Sequence, residues 1–172
     1  DAGVGFIHQA LNLINDLTIY ENMFLTHLPH KGCLLDKALM RKKTKELFER
    51  MNLELDPNTM VRDLDASYKQ IVEIARALAA NPKILLLDEP AAGMNPAETW
   101  SLLEFIQRIN KSGHTIVVIE HDMKFVMNLC DYIMVLSFGE KICEGTPDVV
   151  KNDKKVQEAY FGRGTIQKSN ER

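Results

Sequence analysis

Two short apolar runs, each ending abruptly in polar residues, constrain this chain more than any other feature. They are Lys83-Ile84-Leu85-Leu86-Leu87-Asp88-Glu89-Pro90 and Thr115-Ile116-Val117-Val118-Ile119-Glu120-His121-Asp122. An apolar run of about four to eight residues bounded by turn signals predicts a strand buried on both faces. Polar groups at the carboxyl end of such a strand sit where open α/β sheets bind ligands. Asp88 can hold a hard cation such as Mg²⁺ through oxygen. Glu89 points elsewhere and can orient or deprotonate a water. His121, ending the second run, can donate to a phosphate. Together these are the residue types of half a nucleoside-triphosphate hydrolysis site.

The chain has 172 residues, enough for one domain with a core, or a domain plus a small lobe. Its net charge of −3 gives no general electrostatic grip on nucleic acid. Cys33, Cys130 and Cys143 are far apart, with no zinc or disulfide spacing, which fits a reducing cytoplasm. No apolar run approaches the roughly 20 residues of a membrane helix. The opening Asp1-Ala2-Gly3-Val4-Gly5-Phe6-Ile7 is no signal peptide and reads as the interior of a longer sequence.

Along the chain, Val4 to His8 predicts a strand ending at Gln9. Thr18 can cap a helix at 19–25, with Glu21 reaching back as in a capping box. Pro29 to Gly32 reads as a turn, and Asp36 as the cap of a helix over 37–52. Its run of Lys42, Lys43 and Lys45 is a solvated face, since Glu46, Glu49 and Glu54 follow. A helix from Ser67 to Ala80 buries Ile71, Ile74, Ala75 and Leu78. The strand 83–88, a helix at 97–111, the strand 115–120, a helix at 122–130 and the strand 132–136 follow. Phe138-Gly139-Glu140 makes a hairpin to a return strand at 141–144. A short helix lies near 148–152, and Thr165 to Arg172 forms a disordered tail. From residue 67 the alternation of helix and strand implies a parallel sheet with right-handed crossovers. Residues 10–66 are mainly helical and break it.

Five segments resemble, in order, those of the ATP-binding subunit of ABC transporters, over nearly the whole chain to about Gly162. Phe6-Ile7-His8-Gln9 resembles the Q-loop. Leu64-Asp65-Ala66-Ser67-Tyr68-Lys69-Gln70 and the helix after it sit where the signature motif belongs. Ile84–Pro90 resembles the Walker B strand, Ala92–Pro96 the D-loop, and Val118–Asp122 the switch histidine. The resemblance implies a P-loop NTPase-like α/β fold. Residues 1–9 would end the Q-loop strand, 10–80 would be the helical subdomain with the signature helix, 81–162 the carboxyl half of the ATPase core, and 163–172 a tail. Ala91–Pro96 and Gly145-Thr146-Pro147 look most like importers of branched-chain amino acids. Ile7–Leu13 and Gln70–Ile74 look more like importers of simple sugars. The cargo stays open between them.

Three departures stand out. No Gly-x-x-x-x-Gly-Lys-Ser/Thr loop occurs anywhere in the chain, so neither the nest of phosphate-binding amides nor its lysine is supplied here. The family's adenine-stacking aromatic also belongs upstream. Asp65 stands at the signature serine position and Ser67 at a signature glycine. A carboxylate there would repel a triphosphate by ~4 kcal/mol at about 4 Å in an effective dielectric near 20. Asn95 replaces the D-loop aspartate.

The resemblance implies a cytoplasmic ATPase, peripheral on the inner face of the cell membrane. It would power import by closing with a second ATP-binding subunit, head to tail, over ATP and Mg²⁺, against a transmembrane permease subunit and with no nucleic acid. Asp88 and Gln9 would organise Mg²⁺, Glu89 the attacking water, and His121 and Gln9 the γ-phosphate. Leu64, Asp65, Ala66, Ser67, Gln70 and Asn95 would face nucleotide. Met23, Phe24 and Leu25 suit either a groove for the permease or ordinary core. The phosphate-loop strand would lie between the strands 115–120 and 132–136, so lacking it these two should have open edges. The alternative is a non-catalytic protein-binding module, in which the altered signature is a native feature.

Overall fold

The computed structural model describes residues 3–25, 28–31 and 34–161. The expected polar tail, together with His27, Gly32 and Cys33, lies outside the described residues. The chain forms two compact units, residues 1–120 and 121–172.

The first unit is built on a three-stranded parallel sheet in the order β1 (Val4–Ile7), β4 (Ile84–Asp88), β5 (Thr115–Ile119). Ile7 lies opposite Leu87, and Asp88 opposite Ile119. The β-branched and leucine-rich runs suit this pleated surface. Alternation divides the sheet into two faces. Ile7, Leu85 and Leu87 are buried on one, which is backed by α3 (Ala66–Leu78) and α4 (Pro96–Lys111). On the other, Val4, Phe6, Ile84, Val117 and Ile119 are exposed. This corrects the expectation of strands buried on both faces: among the described residues nothing covers the second face.

The insertion between β1 and β4 carries α1 (Ile19–Met23), a minimal hairpin of β2 (His30–Lys31) and β3 (Leu34–Leu35), and α2 (Lys37–Arg50). His30 and Lys31 therefore pair as strand where a turn was expected. Ile19, Met23, Leu47, Phe48, Val61, Val72 and Ala75 form this lobe's core. Met23 lies in this core and Phe24 packs against it. Asn22, fully buried, staples the preceding loop. Its Oδ1 accepts from Ile14 N–H at 2.8 Å, and its Nδ2 donates to the Ile14 and Thr18 carbonyls, each at 3.0 Å. Such satisfied polar groups fix a loop that has no apolar periodicity of its own.

The caps follow the sequence closely. Asp36 accepts from Leu39 N–H, and Thr18 N–H donates to the Glu21 carboxylate, the return half of the expected box.

In the second unit, α5 (Met123–Leu129) precedes an antiparallel pair, β6 (Ile133–Ser137) and β7 (Glu140–Gly145). Phe138 and Gly139 turn the hairpin with φ of 48° and 82°. Left-handed values at both central residues are what a two-residue hairpin turn requires. The helices α6 (Pro147–Asn152) and α7 (Lys154–Val156) and a π turn at Gln157–Phe161 complete it. Val126, Ile133, Val135, Val150 and Val156 form its core. Among the described residues β5 pairs only with β4 and β6 only with β7, as the open edges expected from the sequence require.

Candidate functional site

The carboxyl ends of β1 and β4 bring two expected site residues together. Gln9 follows β1 and Glu89 follows β4, and Gln9 Nε2 donates to Glu89 Oε2 at 2.6 Å. The parallel register of the two strands aligns these ends. A hydrogen bond to a carboxylate is charge-assisted and fixes both side chains.

Glu89 has a backbone φ of 43°, in the left-handed region. A non-glycine residue held there is strained, and such strain concentrates at functional positions. Several bonds hold the turn, among them Ala92 N–H to the Glu89 carbonyl at 3.2 Å. Glu89 N–H donates to the Ile119 carbonyl at 2.9 Å, and Ala91 N–H donates to Glu120 Oε1 at 3.0 Å. Glu120 was not singled out by residue type; here it pins the segment that follows Glu89. Asp88 is the last residue of β4 and is half-buried.

The segment expected to be the signature supplies the cap of α3. Asp65 is the N-cap of α3, and its Oδ1 accepts from Tyr68 N–H and from Ser67 Oγ, each at 2.8 Å. Ser67 and Gln70 are buried, Leu64 and Ala66 half-buried, and Asp65 exposed. Asn95 caps α4 in a reciprocal box. Its Oδ1 accepts from Ala97 and Glu98 N–H, and its own N–H donates to Glu98 Oε2 at 2.9 Å. His121 belongs to the second unit, where it is exposed and precedes the α5 cap Asp122.

Sequence reasoning missed one arrangement in the segment that follows Gln9. Glu73 of α3 accepts at Oε1 from Asn12 N–H (2.9 Å) and from Arg76 Nη2 (2.7 Å), while Arg76 Nη1 donates to the Asn12 carbonyl at 3.1 Å. Glu73 is the one charged side chain buried among the described residues. Burial pushes its pKa above the usual carboxylate range, against the pull of the Asn12 N–H and the Arg76 charge. An ionisable residue inside a helix's apolar stripe was the available signal.

The described residues contain no cluster of three or more His, Cys, Asp or Glu able to hold a metal. No described helix is long and apolar enough to cross a membrane.

Residues 1–92 match the family described as ABC transporter, and residues 140–165 match the branched-chain amino acid ATP-binding cassette transporter family. The galactose/methyl galactoside import ATP-binding protein MglA of Yersinia pestis is 34% identical over 168 residues, 98% of this chain and 33% of that protein. The ribose import ATP-binding protein RbsA of Clostridium perfringens is 34% identical over 158 residues, 91% of this chain and 32% of that protein. The chain thus spans about a third of the length of these curated relatives. Among solved structures, the ADP conformation of an ATP-binding cassette of an ABC transporter superposes with a TM-score of 0.75 at 26% identity, covering 93% of this chain and 68% of that one. The protein cbiO1 of Clostridium perfringens, part of the ABC transporter complex cbiONQ, gives 0.72 at 26% identity, covering 90% and 61%. Motif order, sheet and matched residues agree: this chain belongs to the ABC transporter family, as one of its ATP-binding cassettes.

Proposed function

We propose that these residues form the signature and hydrolytic part of an ATP-driven importer subunit, and that a phosphate-binding loop outside them completes the nucleotide site. The observation that carries this reading is the 2.6 Å Gln9–Glu89 bond at the ends of adjacent parallel strands. Glu89, oriented by Gln9, holds the position of a base that aligns a water. Asp88 would hold Mg²⁺, whose contribution when bound would be to offset phosphate charge. Gln9 and His121 would reach the γ-phosphate. Leu64, Asp65, Ala66, Ser67 and Gln70, with Asn95, would face nucleotide held by a second subunit packed head to tail. Residues 10–80 would be the lobe that meets a transmembrane permease, placing the subunit on the inner face of the membrane. Charge positioning rather than covalent chemistry would supply the rate enhancement.

The cargo we assign is a simple sugar. The support is the near full-length similarity of this chain to parts of the galactoside and ribose import proteins. A branched-chain amino acid is the second reading, favoured by the match of residues 140–165. ATP hydrolysis by the complete cassette, with Mg²⁺ and with Asp88→Asn, tests the enzyme reading. Mg²⁺-dependent turnover lost in the variant supports it. No turnover in the unaltered cassette favours a non-catalytic binding module. Uptake of labelled ribose or galactose against leucine decides the cargo.

A further inference from the structure

We propose that Glu73 and Arg76 are positioning residues for Gln9, acting through a two-point clamp on the backbone of Asn12. Glu73 takes the Asn12 N–H and Arg76 the Asn12 carbonyl, and the two side chains bond each other at 2.7 Å. Two of the bonds hold the adjacent peptide groups on either side of the Asn12 Cα, three residues beyond Gln9, and the third ties the two side chains to each other. Both backbone polar groups of Asn12 are thereby fixed to the middle of α3, while Gln9 itself reaches Glu89 at the end of β4. The loop is held at both ends of a short span, which limits where the Gln9 carboxamide can point.

The chemistry argues against a purely structural role. Glu73 is 3% exposed, and α3 buries Ile71, Val72, Ile74, Ala75 and Leu78 as well as the uncharged polar Ser67 and Gln70. Its Oε2 is buried without a hydrogen-bond partner among the described residues. It borders a cavity of about 180 Å³ lined by Phe6, Ile7, His8, Asn12, Arg76 and Ala77. A buried, half-satisfied carboxylate costs stability, and a leucine of similar volume would fill the space more cheaply. What leucine cannot do is accept the Asn12 N–H and orient the Arg76 guanidinium. The titratable and charged groups facing Glu73 are His8, from the β1 side, and Arg76 on its own helix.

This inference rests on the hydrolytic reading of Gln9 and Glu89, so its test has one arm that needs no turnover. In the complete cassette, Glu73→Leu should keep or raise the melting temperature and speed hydrogen exchange at the Asn12 amide at least about tenfold, as loss of one hydrogen bond predicts. The same variant should lower kcat about tenfold with KM for ATP unchanged. Glu73→Gln, which keeps an acceptor for Asn12, should recover most of both. Arg76→Met, at a partly exposed position, is the second variant and should show the same kcat–KM split. Unchanged exchange at Asn12 in Glu73→Leu would overturn the clamp. Faster exchange with unaltered kcat, or a fall in kcat that merely follows a fall in melting temperature, would overturn the positioning role. An unaltered cassette without ATPase activity would instead overturn the hydrolytic reading, with the exchange arm still deciding the clamp.

Discussion

Gln9 Nε2 lies 2.6 Å from Glu89 Oε2, joining the ends of two strands eighty positions apart in sequence. A hydrogen bond to a charged group contributes about 1.5–3 kcal/mol. Gln9→Ala should therefore slow ATP hydrolysis by the complete cassette about 10- to 100-fold, with little change in thermal stability because both side chains sit at a strand-end surface. Steady-state hydrolysis and a melting curve check this. Wild-type turnover in the variant would mean that Glu89 is oriented by other groups.

Asp65 combines two roles that substitution can separate. As the α3 cap it accepts from Tyr68 N–H, so Asp65→Ala should cost ~0.5–2 kcal/mol of stability. Asp65→Ser keeps a capping oxygen and should cost far less. Combined with Ser67→Gly, it also removes the carboxylate from the signature and should raise ATPase activity. Chemical denaturation and turnover measurements distinguish these effects. Equal or lower activity in the double variant would mean that the carboxylate is tolerated or needed where it stands.

Acid should loosen the helical lobe through Glu21. Burial alone would raise its pKa, but the N–H and hydroxyl of Thr18 and the ammonium of Lys37 hold it down at about 2. A carboxylate with a lowered folded-state pKa stabilises fully above its unfolded value of 4.5, and the contribution disappears as pH falls towards 2. Glu21→Gln should thus lower the melting temperature at neutral pH and flatten its dependence on pH between about 4.5 and 2. An equal acid slope in both proteins would place the titration elsewhere.

The open sheet face should make these 172 residues self-associate when purified alone. Val117 is 44% exposed and Ile119 53%, on β5, which is an edge of its sheet. Contiguous apolar surface and an unpaired edge both invite pairing with other chains. Val117→Lys with Ile119→Thr should shift light scattering towards the monomer. A well-behaved monomer without the substitutions would contradict the exposure of this face.

Much of the site was legible because strand ends and caps are local signals. The apolar run into Asp88-Glu89 marked the strand and where it ends, and Thr18 and Asp36 stand at helix starts as their side-chain chemistry requires. Burial on both faces was misread at β4 and β5, because an apolar run records a chemical preference and not which layers cover it. The hairpin of His30–Lys31 with Leu34–Leu35 is too short to carry a period-2 pattern. The Asn12–Glu73–Arg76 clamp joins residues sixty-one and sixty-four positions apart, so the charge of Glu73 within an apolar helix stripe could mark that residue but not its partner Asn12. His121 lies in the second unit, and its role rests on family resemblance.

Single-turnover ATP hydrolysis by the complete cassette carrying Glu89→Gln, with ATP affinity measured in parallel, tests the hydrolytic reading most directly. Glutamine keeps the hydrogen-bonding shape at the end of β4 and removes the base. Affinity should be retained and the hydrolysis rate should fall by ~10²–10⁴, the usual contribution of a positioned base. A single-turnover rate near that of the unaltered cassette would contradict the assignment of Glu89 and, with it, the account of this strand-end pair as the hydrolytic centre.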